Sequence, residues 1–304
     1  MPQSGKPVVA VIGLGSMGFG MATSLRRAGL AVTGCDVSAD SVARFVAEGG
    51  KGARTPSEAA RGADIVVSVV VNAAQTETIL FGKDGVAETL AEGAVFISSA
   101  TMDPEIARRL AAQLEASGRH YLDAPISGGA QRAAQGELTI LASGSAAAFA
   151  GARPALDAMA AKLYELGDAA GQGAAFKMIN QLLAGVHIAA ASEAISFAAK
   201  QGLDLRKVYE VITASAGNSW MFENRMPHVL DADYAPRSAV EIFVKDLGII
   251  QDMARGAKFP VPMAAAALQM FLMTAACGMG RDDDASVARL YARVGGAHLP
   301  GEPK

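Results

Sequence analysis

The sequence predicts an α/β N-terminal domain with a doubly wound parallel sheet, followed by an all-α C-terminal domain. Up to about position 167, short β-rich runs alternate with helical patterns, which is typical of a parallel sheet covered by helices on both faces. A glycine-rich turn joins the first run to the first helix. Beyond Gly171 the β-rich runs stop and long helical periodicity takes over. We therefore predict two domains, residues 1–167 and 168–304.

The elements of both domains can be placed in order. Residues 21–29 and 38–49 have helical periodicity, and each segment ends at a glycine. The β-rich runs lie at 7–15, 30–36, 63–71, 93–100, 120–126 and 138–144. In the C-terminal domain, helices are predicted over 174–201, 204–214, 239–255, 262–277 and 284–294. Gly202 and Gly256 end the first and third of these helices, and Asp204 opens the second.

Composition excludes several classes of function. The chain has 304 residues, of which 51% are hydrophobic and 19% charged, so it can bury large cores and is not disordered. A formal net charge of −3 gives no electrostatic reason to expect nucleic acid or an anionic membrane as a partner. The four histidines show no metal-ligand spacing, and we predict no metal.

One segment is apolar enough to raise the question of a membrane. Residues 259–280 carry no charge and approach the length that spans a bilayer. The segment is rich in alanine, contains Gln269 and begins with two prolines, which favours a helix buried in protein or in a subunit interface. We therefore expect a cytoplasmic protein without a membrane partner, assembled as a homodimer or homotetramer.

The glycine-rich turn predicts a dinucleotide site. Gly13, Gly15 and Gly18 form G-x-G-x-x-G between a strand and a helix, the context that makes this pattern specific for Rossmann-type domains. The first glycine permits a tight turn, the second lets the backbone approach a pyrophosphate, and the third lets helix and strand pack closely. The helix N-terminus then faces the phosphates. The predicted cofactor loop comprises Gly13, Leu14, Gly15, Ser16, Met17 and Gly18.

The residue at the end of the second β-rich run selects the cofactor. Asp36 stands 18 residues after Gly18, where a carboxylate can accept hydrogen bonds from the adenosine ribose. The same charge repels a 2′-phosphate, so the sequence predicts NAD rather than NADP. The chain leaves the run 63–71 at Val71 and Asn72, and Thr101 follows the run 93–100; all three belong to the same predicted edge of the sheet. Taken alone, each of these three is more often part of an ordinary loop.

Four motifs in order resemble the β-hydroxyacid dehydrogenase family, which includes 3-hydroxyisobutyrate dehydrogenase and tartronate semialdehyde reductase. They read GLGSMGFGMA, DAPISGGAQRAAQGELTILASG, GQGAAFKMINQ and FVKDLGI, and the resemblance runs from about position 8 to position 295. It implies an NAD-dependent enzyme that oxidises a small hydroxy acid by hydride transfer. Non-catalytic dinucleotide-binding proteins and imine reductases are related alternatives that usually lack the lysine of the third motif.

The resemblance also implies roles for individual residues. Lys177 matches the catalytic lysine, and Ser127, Gly128 and Gly129 match the segment that binds the substrate carboxylate. Thr101 and Lys245 match residues on the nicotinamide side of the cofactor. The family usually has two asparagines after the lysine, the second of which holds the substrate. This chain has Asn180 and Gln181 there, so the amide is kept but reaches one methylene further.

The residues around Lys177 agree with a catalytic role. Lys177, Asn180 and Gln181 stand at i, i+3 and i+4 and share one helix face. The segment 171–185 is otherwise apolar, and burial beside a nicotinamide cation favours the neutral amine, which can take a proton from a hydroxyl. The alternative is a lysine whose ammonium extends to solvent along an apolar surface.

Segments of the helical half are similar to the L-threonate dehydrogenases, a subgroup of the family. The similarity lies at 182–193 and 214–248 and implies oxidation of L-threonate at C2 to the 2-oxo acid. Buried substrate hydroxyls need polar partners, and this region supplies them. The candidates are Asn218, Ser219, Trp220, Glu223, Arg237 and Lys245. Each could equally be a helix cap or an interface residue, and 3-hydroxyisobutyrate dehydrogenase or tartronate semialdehyde reductase activity remains the alternative within the family.

Overall fold

The computed structural model describes residues 5–302 and divides the chain into two compact units. The N-terminal unit ends at Lys177 and the C-terminal unit begins at Met178. The domain limits 1–167 and 168–304 stay a prediction of the sequence.

A six-stranded sheet forms the centre of the N-terminal unit. Its strands are β1 (Val8–Ile12), β2 (Ala31–Cys35), β3 (Lys51–Ala53), β4 (Ile65–Ser68), β5 (Val95–Ser98) and β6 (His120–Asp123). The spatial order is β3-β2-β1-β4-β5-β6, and every pair is parallel. This order confirms the predicted doubly wound, Rossmann-type sheet. Only β3 had no counterpart among the predicted strands, because three residues are too few to show a period.

Helices cover both faces of this sheet. They are α1 (Ser16–Arg27), α2 (Ala39–Ala47), α3 (Pro56–Ala60), α4 (Ala73–Phe81), α5 (Pro104–Glu115), α6 (Gly129–Gln135) and α7 (Ala146–Met159). Val9 and Val11 of β1 pack into one hydrophobic core, whereas Ala10 and Ile12 pack into the other. Because the sheet is buried on both sides, its strands read as continuous apolar runs.

A second, three-stranded sheet adjoins the first within the same unit. Its strands are β7 (Ile126–Ser127), β8 (Leu138–Ala142) and β9 (Ala160–Glu165). The predicted run 138–144 is therefore a strand, but it belongs to this separate sheet, where it pairs antiparallel with β7 and parallel with β9. β9 was not predicted because its residues are partly or fully exposed and lack an apolar period.

The C-terminal unit is helical, as predicted. After α8 (Gln172–Lys200), which begins in the N-terminal unit, come α9 (Leu205–Thr213), α10 (Trp220–Leu230), α11 (Val240–Gly256), α12 (Pro262–Thr274) and α13 (Val287–Gly295). Asp204 caps α9 by accepting hydrogen bonds from Arg206 N–H at 2.9 Å and Lys207 N–H at 3.3 Å. Helix α10 was not predicted, because Pro227 inside it interrupts the helical pattern.

Two helical stretches, Gln172–Lys200 and Pro262–Met279, are long and apolar enough to cross a membrane by length and composition alone. Core helices of globular proteins have the same properties. Phe271 of α12 is fully buried and stacks on Phe243 of α11, with ring centroids 5.1 Å apart. This side of α12 is therefore packed against protein, while Met263 and Met273 are exposed.

Candidate active site

The three glycines of the first turn are required for three different reasons. Gly13 has φ +95°, and a Cβ there would clash with the carbonyl oxygen of Val69. A Cβ on Gly18 would clash with the Gly13 carbonyl oxygen. At Gly15 a Cβ would meet no described atom within 4 Å, so a ligand can approach this backbone closely. Gly15 is also the N-cap of α1 without a side-chain cap, so the first N–H groups of α1 can face phosphates.

Asp36 lies against this turn. Its Oδ2 accepts a hydrogen bond from Leu14 N–H at 2.6 Å, and its Oδ1 accepts one from Ser38 N–H at 2.8 Å. The carboxylate is therefore fixed beside the glycine loop, where a ribose hydroxyl would lie. Together with the open backbone at Gly15, this arrangement fits a dinucleotide. The Leu14 side chain is fully buried, so only its backbone can face a ligand; Ser16 is exposed and Met17 packs on the core.

A fourth glycine in this region escaped the sequence analysis. A Cβ on Gly20 of α1 would lie 2.6 Å from Ala134 N, because α1 packs directly on α6. Residues 15–20 contain three glycines, and the third of them, Gly20, was the only indication in the sequence of this close helix packing.

The other predicted cofactor residues follow β4, which pairs with β1, and β5, which pairs with β4. Val71 and Asn72 follow β4, and Thr101 follows β5, so they lie at the carboxyl edge beside the glycine loop. Asn72 caps α4 by accepting a 2.9 Å hydrogen bond from Gln75 N–H. Val71 N–H donates to Gln75 Oε1 at 2.9 Å. Asn72 thus has a structural role here, and contact of these residues with a cofactor stays a prediction.

Lys177 does not extend to solvent. Its side chain is only 7% exposed, and Nζ donates a 2.8 Å hydrogen bond to the carbonyl oxygen of Ile126. By contrast, Phe176, Ile179 and Leu183 of the same helix are at least half exposed. Thus a lysine side chain is buried while large apolar neighbours are exposed, the reverse of the usual preference. The catalytic role of Lys177 stays a prediction.

The predicted carboxylate-binding segment follows Ile126 directly. Gly128 and Gly129 have φ angles of +135° and +79°, which residues other than glycine rarely adopt. The N-terminal unit therefore places Ser127 and the two glycines immediately beside the carbonyl group that holds Lys177.

Polar side chains in the C-terminal unit form a connected series. Asn180 Nδ2 donates to Gln181 Oε1 at 3.0 Å, and Gln181 Nε2 donates to Asp246 Oδ2 at 2.5 Å. Asp246 is 1% exposed and forms an ion pair with Lys245 through its other oxygen. The sequence analysis missed Asp246, although it stands in the quoted motif FVKDLGI. It also missed Asp123 of the motif DAPISGG, which contacts the start of α8.

Several polar residues offered as substrate ligands have local roles. Ser219 caps α10 through a 3.0 Å hydrogen bond from Phe222 N–H. Asn218 Nδ2 donates to Thr213 O at 3.3 Å, and Arg237 pairs with Asp233. Trp220 is 53% exposed. Caps and ion pairs therefore account for part of this set, and the substrate-binding role of Trp220 stays a prediction. Across residues 5–302, no group of three or more histidine, cysteine, aspartate or glutamate side chains could hold a metal ion.

Two family profiles match the chain. That of the NAD-binding domain of 6-phosphogluconate dehydrogenase matches residues 8–167. That of the NAD-binding region of NADP-dependent 3-hydroxyisobutyrate dehydrogenase matches residues 171–291.

Full-length relatives and solved structures are also similar. An L-threonate dehydrogenase of Cupriavidus necator is 51% identical, covering 97% of this chain and 98% of the relative. An L-threonate dehydrogenase of Escherichia coli K12 is 46% identical, covering 96% of each chain. A crystal structure described as 3-hydroxyisobutyrate dehydrogenase from Salmonella typhimurium is 49% identical, with a TM-score of 0.90, covering 94% of this chain and 100% of the other.

Proposed function

The chain belongs to the β-hydroxyacid dehydrogenase family and is an NAD-dependent oxidoreductase, and we propose that it oxidises L-threonate at C2 to the 2-oxo acid with Lys177 as the acid/base. The observation that carries the acid/base assignment is the buried Lys177, whose amine is held 2.8 Å from Ile126 O beside Ser127. The assignment of L-threonate as the substrate is supported by relatives that are named L-threonate dehydrogenases and are 46–51% identical over almost the whole chain.

The residues of the N-terminal unit have complementary tasks in this reaction. NAD, when bound, supplies the hydride acceptor. Backbone N–H groups of Ser127 to Gly129 bind the substrate carboxylate, and Asp36 binds the adenosine ribose. Lys177 Nζ takes the proton of the C2 hydroxyl during oxidation and returns it during reduction. Lys177 must be neutral to accept that proton.

Gln181 and Asn180 provide contacts for the remaining hydroxyls. Asn180 lies three residues and Gln181 four residues after Lys177 on one continuous helix, so all three side chains share a face. Gln181 Nε2 is already bonded to Asp246, which leaves Oε1 as the group that can accept from a substrate hydroxyl. A polyhydroxy acid such as threonate supplies such donors, whereas the methyl group of 3-hydroxyisobutyrate does not.

A substrate panel tests this proposal. NADH formation is measured with L-threonate, D-threonate, D-erythronate, 3-hydroxyisobutyrate and D-glycerate. We expect L-threonate to give the highest kcat/KM, because relatives that are 46–51% identical are named L-threonate dehydrogenases. A higher kcat/KM with 3-hydroxyisobutyrate or D-glycerate would show that L-threonate is not the preferred substrate, and the assignment to the family would still hold. No turnover with any acid, despite NAD binding, would favour a non-catalytic dinucleotide-binding protein.

We also propose a cytoplasmic homodimer or homotetramer. Large apolar side chains are exposed on two helices of the chain: Phe176, Ile179, Leu183 and Phe197 on α8, and Met263, Leu272 and Met273 on α12. Large exposed apolar side chains of this kind are typical of subunit interfaces. Light scattering coupled to size-exclusion chromatography tests the assembly, and a monomeric mass at micromolar concentration would contradict it.

A further inference from the structure

We propose that Asp123, assisted by Ser143, is a positioning residue that fixes Lys177 relative to the segment Ser127–Gly129. This inference rests on the proposed acid/base role of Lys177. Asp123 itself contacts neither substrate nor cofactor, and it acts through the first turn of α8.

Asp123 and Ser143 together hold the start of that helix. Asp123 Oδ2 accepts hydrogen bonds from Gly171 N–H at 2.9 Å and Ala174 N–H at 2.8 Å. Ser143 Oγ accepts from Gly173 N–H at 2.9 Å and donates to Asp123 Oδ2 at 3.3 Å. The first N–H groups of a helix have no partner within the helix, and these two side chains supply partners for three of them.

The two capping residues are themselves fixed to each other by the backbone. Asp123 N–H donates to Ser143 O at 3.0 Å, and Ser143 N–H donates to Asp123 O at 2.8 Å. Both residues are fully buried. The helix also sits directly on this pair, because a Cβ on Gly173 would clash with Leu141 O and approach Asp123 O to 2.9 Å. The start of α8 therefore has little freedom to shift.

The segment that carries Asp123 contacts α8 a second time, at the lysine. Three residues after Asp123, the carbonyl oxygen of Ile126 accepts the 2.8 Å hydrogen bond from Lys177 Nζ. Ala174 and Lys177 are three residues apart, so the two contacts lie about one turn apart along the helix. Because Ser127 follows Ile126, the same five-residue segment sets the helix start, the amine and the beginning of the predicted carboxylate-binding segment.

The charge of Asp123 matters for this role. An anion at a helix N-terminus is favoured by the helix dipole, and a carboxylate accepts stronger hydrogen bonds than an amide. Burial nevertheless raises the pKa of Asp123 to about 6, opposed by the hydrogen bonds from Ala174, Gly171 and Ser143 and by the charge of Arg108 on α5. The buried phenol of Tyr121 on β6 also faces it. Among residues 5–302, no group donates a hydrogen bond to Asp123 Oδ1.

The test compares Asp123→Asn, Ser143→Ala and the control Asp204→Asn, which alters an aspartate cap on α9 instead. Turnover of L-threonate, or of the best acid in the panel, is measured between about pH 5 and about pH 9. We expect Asp123→Asn to lower kcat by on the order of 10- to 100-fold, the cost of a small misplacement of a catalytic group, with KM for NAD changed less than about twofold. For the unaltered enzyme we expect kcat to fall as the pH drops through the pKa of Asp123, which burial raises to about 6, and Asp123→Asn should lack this decrease. Asp204→Asn should leave kcat and the pH profile unchanged.

Unchanged kcat and an unchanged acid limb in a folded Asp123→Asn protein would overturn the inference. Should that protein fail to fold, Ser143→Ala decides: a severalfold lower kcat with unchanged KM for NAD supports positioning, and normal kcat contradicts it. Lys177→Ala separates the two levels of the argument. If Lys177→Ala turns over normally, the acid/base proposal fails and this inference falls with it. If Lys177→Ala is inactive while the Asp123 and Ser143 variants are normal, only the positioning role is wrong.

Discussion

Gln181 Nε2 donates a 2.5 Å hydrogen bond to Oδ2 of Asp246, and both side chains are buried. Since an ionised carboxylate only accepts hydrogen bonds, Asp246 fixes which end of the Gln181 amide points towards it. The oxygen of Gln181 is then the end that receives donors, as it does from Asn180. Gln181 stands where the family usually has asparagine. Asp246 orients its amide, with the NH₂ group towards the carboxylate and the oxygen away from it.

This relationship predicts the effect of Asp246→Asn. An asparagine could accept or donate, so the Gln181 amide could flip and present its NH₂ group to a substrate hydroxyl. We expect kcat/KM for L-threonate to fall by about 2- to 10-fold, corresponding to the loss of about one neutral hydrogen bond to the substrate. Asp252→Asn, at an exposed position of the same helix, is the matched control and should have no effect. Equal kcat/KM values for Asp246→Asn and the unaltered enzyme would show that Gln181 is not oriented by Asp246.

Lys177→Ala should lower kcat by about 10²–10⁴-fold, the range for loss of a general acid/base, and leave NAD affinity nearly unchanged. The amine is buried against Ile126 O, so its removal takes away the group that accepts the hydroxyl proton. Steady-state kinetics and fluorescence titration with NADH check the two parts. Lys200→Ala, at the exposed end of the same helix, serves as the control. Near-normal turnover by a folded Lys177→Ala protein would show that Lys177 is not the general acid/base.

Asp36→Ser should relax the preference for NAD. The carboxylate is held beside the glycine loop by Leu14 N–H, where its charge repels a 2′-phosphate. We expect KM for NAD to rise and kcat/KM with NADP to improve, measured with the same acid. Asp40→Ser removes a nearby exposed charge and should change neither value. A preference of the unaltered enzyme for NADP would show that Asp36 does not bind the adenosine ribose of the cofactor.

Two substitutions in the glycine loop should separate cofactor binding from stability. At Gly15 a methyl group meets no described atom, so Gly15→Ala should keep the thermal midpoint but weaken NAD binding by blocking the pyrophosphate. At Gly18 a methyl group would clash with Gly13 O, so Gly18→Ala should cost about 1–3 kcal/mol of unfolding free energy or more. Calorimetry and NADH titration measure both quantities. An equal loss of stability in the two variants would contradict this division.

Asp123 should make stability and turnover respond to pH in opposite directions. Its pKa rises from 3.8 to about 6 on folding, so the folded protein binds the extra proton between these values. The contribution of Asp123 to the unfolding free energy therefore decreases as pH rises from about 4 to about 6. Relative to the unaltered protein, Asp123→Asn should become more stable over this interval, even as it loses turnover. Urea unfolding at several pH values checks this, and a parallel pH dependence of the two proteins would refute it.

The sequence by itself determined the features that depend on neighbouring residues. Alternating apolar runs and helices predicted the doubly wound sheet, the G-x-G-x-x-G spacing located the loop at Gly13–Gly18, and the i, i+3, i+4 spacing placed Lys177, Asn180 and Gln181 on one face. Only the tertiary structure decided the contacts between distant residues. Asp123 meets Ala174 across 51 positions, and Gln181 meets Asp246 across 65. It also assigned β8 to a second sheet, where it pairs with β7 and β9, because strand pairing depends on contacts between segments that are distant in the sequence. No local period records such pairings, since burial and hydrogen bonding between remote segments arise only when the chain is folded.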